Sequence, residues 1–451
     1  MASTTLNSDV KKFRICIIGA GMGGLTCALA LAQAGFENIE VYESASNLGF
    51  VGAGIQLAPN MTRILDRLGV WQEIEKEAVV LNETSIRLGD SDTELGHVDL
   101  QYIKQAYGYP HMVGHRSSLA NGIYQGCRKE TDITFYFSTP VQQIKSFGPK
   151  PVFTAAPRDG RPSYDVEADI LLGADGIKSS TRVEMLKRLG ITDAEVKDTG
   201  QAAYRIMIDR KLMQDDPELL SLIDADCVTR WIGEKRHIIA YPVASKQIYN
   251  LSTVQPDANF AAAPSATYTT KGSKPAMLPV FSDFCSKVQR MLRLVPEGEV
   301  CEWKLRVHSP LPTWVHGSVA LVGDAYHPTL PHLAQGAAQA IEDAGVLSVA
   351  LARLPDTSVD SINKALRVYE QLRKERSESL VELAAASGRA MHLGEGEARR
   401  QRDEQFRALQ EGKVGPVPDR WADAEVQKMI YGTDIMQMAE QQFEKLFDSF
   451  S

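Results

Sequence analysis

Gly19-Ala20-Gly21-Met22-Gly23-Gly24 decides how this chain is read. A short apolar run, Phe13 to Ile18, precedes it, and an apolar helical stretch, Leu25 to Ala34, follows. A second apolar run, Ile39-Glu40-Val41-Tyr42, ends in Glu43. Strand, glycine turn, helix, strand and acid in that order predict a dinucleotide-binding βαβ unit over about 11–45. Gly19 allows the tight turn, Gly21 lets backbone approach a pyrophosphate, and Gly24 lets helix and sheet pack closely. The helix N-terminus offers free N–H groups and a positive dipole end to the phosphates. Glu43 can accept hydrogen bonds from a ribose.

The bulk numbers set the frame around that unit. A chain of 451 residues predicts two or three subdomains. Hydrophobic content of 44% and charged content of 24% are those of a soluble globular protein. A net charge of −8 argues against a nucleic-acid binder or a polybasic membrane binder. Six cysteines are scattered without a CxxC pair, which predicts reduced, buried thiols and a reducing compartment. Met1 to Val10 is polar, reads as a loose tail and carries no apolar signal core. No apolar run reaches the ~18 residues needed to span a bilayer. The expectation is a soluble, cytoplasmic protein with no membrane span.

Beyond the βαβ unit, Gly52-Ala53-Gly54-Ile55-Gln56 opens a glycine-rich loop, and Met61 to Leu68 reads as a helix stopped by Gly69. Short strands are predicted near 133–137, 141–145 and 151–155, and a buried strand over Ala168 to Leu172. From 186 to 299 the strand-like pieces lie between long polar connections and read as a mainly antiparallel sheet. Pro256–Pro279 reads as an excursion from it. Rossmann character returns at Ser318 to Asp324, followed by a helix from Gly336 to Leu354. The remainder from 359 is helical by periodicity. The resulting division is a discontinuous Rossmann-like α/β domain over 11–185 and 300–358, a β-sheet domain over 186–299, and a helical C-terminal region over 359–451.

Three further segments complete a pattern. They are Gly173-Ala174-Asp175-Gly176 with Ser179 and Arg182, Gly323-Asp324-Ala325 with His327-Pro328, and Pro331-His332-Leu333-Ala334-Gln335-Gly336. Together with the βαβ unit they resemble the single-component FAD-dependent aromatic hydroxylases, the class of para-hydroxybenzoate and salicylate hydroxylases. The resemblance runs in order over about 11–390. It is strongest to fungal salicylate-hydroxylase-like enzymes, including those that dearomatise polyketide phenols in secondary metabolism. It implies that Glu43 binds the adenosine ribose of FAD, that Gly54 and Gln56 lie along the flavin, and that Arg116 contacts the FAD chain. It further implies that Asp175 belongs to a motif shared between FAD and NAD(P)H, and that Asp324 holds a ribityl hydroxyl. Gly336 and Ala337 would start a helix facing the flavin pyrimidine, where a dipole stabilises negative charge.

With a single GxGxxG unit, the resemblance implies that FAD is resident and NADH or NADPH visits. NAD(P)H would reduce FAD, O2 would add at C4a, and the resulting hydroperoxide would hydroxylate an electron-rich carbon of a phenol, with or without loss of aromaticity. Arg205, a charge between apolar neighbours, and Tyr241 match positions that hold a substrate phenolate in the dearomatising relatives. His327 and His332 are read as site lining, because no HExxH or carboxylate pattern accompanies them to form a metal site. An epoxidase or indole oxidase with the same flavin site, and a non-catalytic FAD-binding protein, remain the alternatives. No WxWxIP segment of the flavin halogenases is present. The oligomeric state, the choice of nicotinamide and the role of the C-terminal segment around Trp421 and Tyr431 are not set by the sequence.

Overall fold

The glycine turn sits at the switch point of a six-stranded sheet in a computed structural model. The structure describes residues 7–49, 53–191, 196–258 and 269–450. Gly52, part of the Pro256–Pro279 stretch and residues 1–6 of the N-terminal segment lie outside the described residues. The strand Arg14–Ile18 pairs in parallel with Asn38–Tyr42 on one side and with Ile170–Gly173 on the other. Ile133–Tyr136 extends the first side, while Val319–Leu321 and then Val315–His316 extend the second. Only the last pair is antiparallel. Sheet order therefore reverses at Arg14–Ile18, and a crevice opens at the carboxyl ends of the strands, where such sheets bind ligands.

The helix Met22–Gln33 follows directly, with Gly21 as its N-cap. Gly19 holds a φ of +100°, which only glycine adopts without strain. A Cβ on Gly24 would lie 2.0 Å from the Gly19 carbonyl oxygen. With the resident FAD that the resemblance implies, Gly24→Ala is expected to be expressed largely without bound flavin, read as the flavin-to-protein absorbance ratio of the purified protein. A normal ratio would show that helix and turn can separate without loss of the site. The expected loose tail is tied down from Val10, which is fully buried in the sheet core.

A second sheet of eight strands carries the other half of the molecule. Its central strands are Lys197–Asp209, Ile248–Pro256, Arg236–Val243 and Cys227–Gly233, antiparallel in that spatial order. Beyond Cys227–Gly233 the sheet continues into Glu83–Leu88 and Glu94–Asp99, and beyond Lys197–Asp209 into Cys301–Val307. The sequence division placed these three flanking strands with the Rossmann part. Hydrogen bonding joins them to the second sheet, and Cys227–Gly233 to Glu83–Leu88 is a parallel pair. Parallel pairing needs a long crossover, which local patterns do not reveal.

Alternation gives this sheet two different faces. Tyr204, Ile206, Ile238, Ala240, Tyr249 and Leu251 pack into one apolar cluster with the helices Pro217–Asp224 and Ser286–Arg293. Arg205, Ile239, Tyr241, Asn250 and Ser252 point the other way, into a cavity shared with the glycine turn. The long polar connections of 186–299 thus hold helices that cover the outer face. The strand Gly54–Leu57 bridges the two halves. The Gly54 N–H donates to Asn250 Oδ1 at 2.6 Å, and a Cβ there would come within 2.6 Å of both Asn250 and Tyr241.

The C-terminal helices Val359–Met391, Glu397–Gln410, Ala424–Tyr431 and Ile435–Ser449 wrap the back of the site. Trp421 is buried, and its indole N–H donates to the Tyr431 hydroxyl at 2.6 Å. Its ring meets His111 edge-on at 4.9 Å, and His111 Nε2 is 3.2 Å from Gln56 Oε1. Arg63 donates to the carbonyls of Tyr431 and Thr433. The C-terminal segment is therefore a packing element that braces Gln56.

Candidate active site

One cavity gathers most of the residues singled out from sequence. Gly21, Gly54, Gln56, Arg116, Asp324, Gly336 and Ala337 line it, and so do Arg205 and Tyr241. Two helix N-termini open onto it, those of Met22–Gln33 and Gly336–Leu351. A Cβ added at Gly21 or Gly336 would meet nothing within 4 Å, so backbone N–H groups at both ends are open to a ligand.

Asp324 sits in the turn Gly323–Ala325, and its accessible surface faces the cavity. No described residue donates a hydrogen bond to its carboxylate. Burial pushes its proton affinity up, and His327 and Arg116 oppose that rise. An acceptor in this condition suits a ligand hydroxyl. Arg116 begins the helix Arg116–Cys127, and its side chain has no hydrogen-bond partner among the described residues. Burial draws its pKa down, and Asp324 opposes the shift. A half-buried guanidinium without a protein partner, facing the cavity, suits an anionic ligand group.

Glu43, Asp175, Gly19 and Gly24 are outside the lining. The Glu43 carboxylate accepts from the backbone N–H of Ala20 at 2.8 Å and of Ala45 at 2.7 Å, so it anchors the glycine turn. Oε1 also accepts from the Ser44 hydroxyl at 3.1 Å, which leaves a lone pair on Oε2 for a further donor. Asp175 is turned onto the start of the helix Ser180–Arg188. It accepts from Ser179 Oγ at 2.6 Å and from the N–H and hydroxyl of Thr181 at 3.0 Å. Arg182, buried beneath, donates to the carbonyls of Ala325 and Ile177. The Asp175-Gly176 turn is thereby strapped to the Gly323-Asp324 turn.

The substrate-side pair is electrostatically coupled. Burial pulls the Arg205 guanidinium down to about 10, Arg116 adds to that fall, and Tyr241 opposes it. Arg205 remains a cation at neutral pH and lies over the Trp303 ring, 4.4 Å from its centroid. Burial pushes the Tyr241 phenol well above its ordinary value, with Arg205 pulling it back. Tyr241 is therefore a neutral O–H donor beside a fixed cation.

Sequence reasoning missed the support beneath the Gly323-Asp324 turn. Asp343, fully buried in the helix Gly336–Leu351, accepts from the Gly323 N–H at 2.9 Å and the Tyr326 hydroxyl at 2.9 Å. His327 Nε2 at 2.7 Å and Arg373 Nε at 2.8 Å complete its surroundings. His327 is therefore a strut under the turn and does not line the cavity, whereas His332 does. Beside it, Glu342 accepts from Asn60, Arg373 and Arg376. Burial alone would raise both carboxylates, but their cationic neighbours hold each down to about 2. The available signal was two adjacent acids inside an otherwise uncharged helix, with arginines at 373 and 376 on the next one.

Among the described residues, one group has the composition of a metal site: His237, His332 and His392, whose candidate ligand atoms lie within 4.8 Å of one another. His237 Nδ1 and His392 Nε2 are 2.6 Å apart. That is a hydrogen bond, since tetrahedral zinc ligands stand about 3.3 Å from each other. No spacing in the sequence pointed to this cluster, because its members come from three distant elements.

Comparison with known proteins identifies the family and fold. Residues 12–384 match the family model described as FAD binding domain. The chain is 30% identical over 400 residues to the FAD-dependent monooxygenase ntnJ of Nectria sp, covering 89% of this chain and 90% of that protein. It is 33% identical over 365 residues to 3-hydroxybenzoate 6-hydroxylase 1 of Aquipseudomonas alcaligenes, covering 80% and 85%. In fold it is similar to a salicylate hydroxylase substrate complex, with a TM-score of 0.76 at 22% identity over 97% of this chain and 98% of that one.

Proposed function

This chain belongs to the FAD-binding family of flavin-dependent monooxygenases, and from that premise we propose that it hydroxylates a phenol held as its phenolate by Arg205 and Tyr241. The observation that carries this is the coupled pair of Arg205 and Tyr241 in the same cavity as the two open helix N-termini. FAD, reduced by the family's NAD(P)H, supplies an electrophilic oxygen from O2.

The residues fit the cofactor. The N-terminus of Met22–Gln33 would hold the pyrophosphate, with Arg116 beside the chain and Glu43 at the adenosine ribose. Asp324 would accept from the ribityl chain. Gly54 and Gln56 would flank the flavin ring, with Gly336 and Ala337 at its pyrimidine edge. Asp175 would act indirectly, by fixing the Asp175-Gly176 turn through Ser179 and Thr181.

Arg205 lowers the proton affinity of a phenol oxygen placed against it, because a cation in a dry site favours the anion. Tyr241, neutral throughout the working range, donates to the same oxygen and does not act as its base. Ile239 and Val254 give that face of the cavity an apolar lining. The hydroxybenzoate relative's name is consistent with a phenolic ring. With all six cysteines free, the site suits a reducing cytoplasm. No helix among the described residues is long and apolar enough to cross a membrane.

The test is NAD(P)H consumption in air by the yellow protein, with and without substituted phenols. We expect strong stimulation by a phenol. Stimulation only by alkenes or indoles would replace this reading with the epoxidase or indole-oxidase one.

A further inference from the structure

Strand register lines up two arginines across the cavity. Arg205 stands opposite Ser252, Ser252 opposite Ile239, and Ile239 opposite Arg230. Three inter-strand steps separate the two arginine backbones by about 14 Å. Both side chains face the same cavity, with a small polar residue and an apolar one between them.

Arg230 is poorly satisfied by the protein. It is 5% exposed, and its Nε is buried without a hydrogen-bond partner. No described residue accepts a hydrogen bond from it. Its nearest carboxylate is Asp419 at 3.8 Å, beyond hydrogen-bond reach. Asp419 Oδ2 is itself buried and unpartnered, while Oδ1 takes the Trp421 N–H at 3.2 Å. Three imidazoles close this end of the cavity. His237 and His332 line it, and His392 hydrogen-bonds to His237 from behind. Burial pulls His237 well down, with His392, His332 and Arg230 adding to the fall. It also pulls His332 to about 3 and His392 to about 4, with Arg230 adding to both. Arg230 is thus a fixed cation among neutral rings.

We infer that Arg230, flanked by His237 and His332, is a second substrate anchor, and that the substrate is an aromatic ring with oxygen acceptors at two ends. Its phenolate meets Arg205 and Tyr241, and a ring-conjugated carboxylate or acyl carbonyl meets Arg230. This rests on the phenolate reading above. A guanidinium presents a planar fork of donors that matches such oxygens, and an apolar substituent would leave it unsatisfied. Ser252 and Ile239 form the floor on which a flat ring would lie between the two anchors.

The test titrates the holoenzyme with three probes, a hydroxybenzoate, the matching hydroxyphenyl methyl ketone and unsubstituted phenol, following the flavin absorbance. Wild type is expected to bind at least one of the first two about tenfold or more tighter than phenol. Whichever does names the second acceptor. Arg230→Gln should erase that ratio while phenol affinity stays within about twofold. Arg230→Gln/Asp419→Asn, which removes both buried charges, is read the same way should the single variant fail to fold. An unchanged ratio, or equal weakening of all three probes, overturns the anchor and leaves the phenolate reading standing. Wild type that binds none of them overturns both.

Discussion

Arg205→Ala is expected to lower phenol-dependent kcat/KM by about a hundredfold or more while the purified protein stays yellow. The size follows from removing a charged donor aimed at the reacting oxygen in a water-poor site, typically about 2.7–4 kcal/mol of transition-state stabilisation. The fold should tolerate the change. Arg205 forms no ion pair with a carboxylate among the described residues, and Asp324, on which it acts at longer range, keeps His327 and Arg116 as its larger cationic influences. Its contact with Trp303 is worth roughly 0.5–2 kcal/mol. Tyr204 and Ile206, on the opposite face of the strand, keep their packing. Two readouts separate a role toward substrate from a structural one. FAD content should stay at the wild-type level, and phenol binding should shift to higher pH because the cation no longer favours the phenolate. Arg205→Lys should recover part of the loss. Unchanged turnover in the alanine variant would remove Arg205 from the chemistry.

The second large effect is expected at Asp343, which does not line the cavity. Asp343→Asn should cost roughly 3–5 kcal/mol of stability, because it breaks a buried charge network and leaves Arg373 undercompensated. It also disturbs the contacts with Gly323, Tyr326 and His327, so FAD should dissociate far more readily. Thermal unfolding with and without added FAD measures both effects. The pH dependence follows from the same network. Both carboxylates have folded-state pKa values near 2, below their ordinary values near 4. Their stabilising contribution is therefore complete above about pH 5 and is lost as the pH falls from there through about 2. The variant should show a flatter loss over that window. Wild-type stability and FAD retention in Asp343→Asn would show that the turn is held by something else.

Legibility of the fold from sequence was uneven for physical reasons. The βαβ unit is local: turn, helix and strand are contiguous, and each glycine answers to a neighbouring atom, as Gly24 does to the Gly19 carbonyl. The Gly323-Asp324 turn is equally local, since a buried strand ends in it. What sequence could not supply is what lies across the chain. The flanking strands Glu83–Leu88, Glu94–Asp99 and Cys301–Val307 join the second sheet through pairings that local alternation leaves undetermined. The struts Asp343 and Arg373 meet only because two helices cross. Arg230 is the instructive omission. It is a charge inside the strand-like run Val228-Thr229-Arg230-Trp231-Ile232, as Arg205 is in its own strand, and the same reasoning applied there would have found it. Its significance depends on strand register, which aligns it with Arg205 across three steps.

Turnover of a responsive phenol under ¹⁸O₂, with the product weighed against NAD(P)H consumed, bears most directly on the monooxygenase reading with an Arg205–Tyr241 phenolate. We expect one ¹⁸O atom in each product molecule, about one NAD(P)H oxidised for each, and loss of that product in Arg205→Ala. Phenol returned unchanged with only hydrogen peroxide formed, or product oxygen drawn from water, would contradict it.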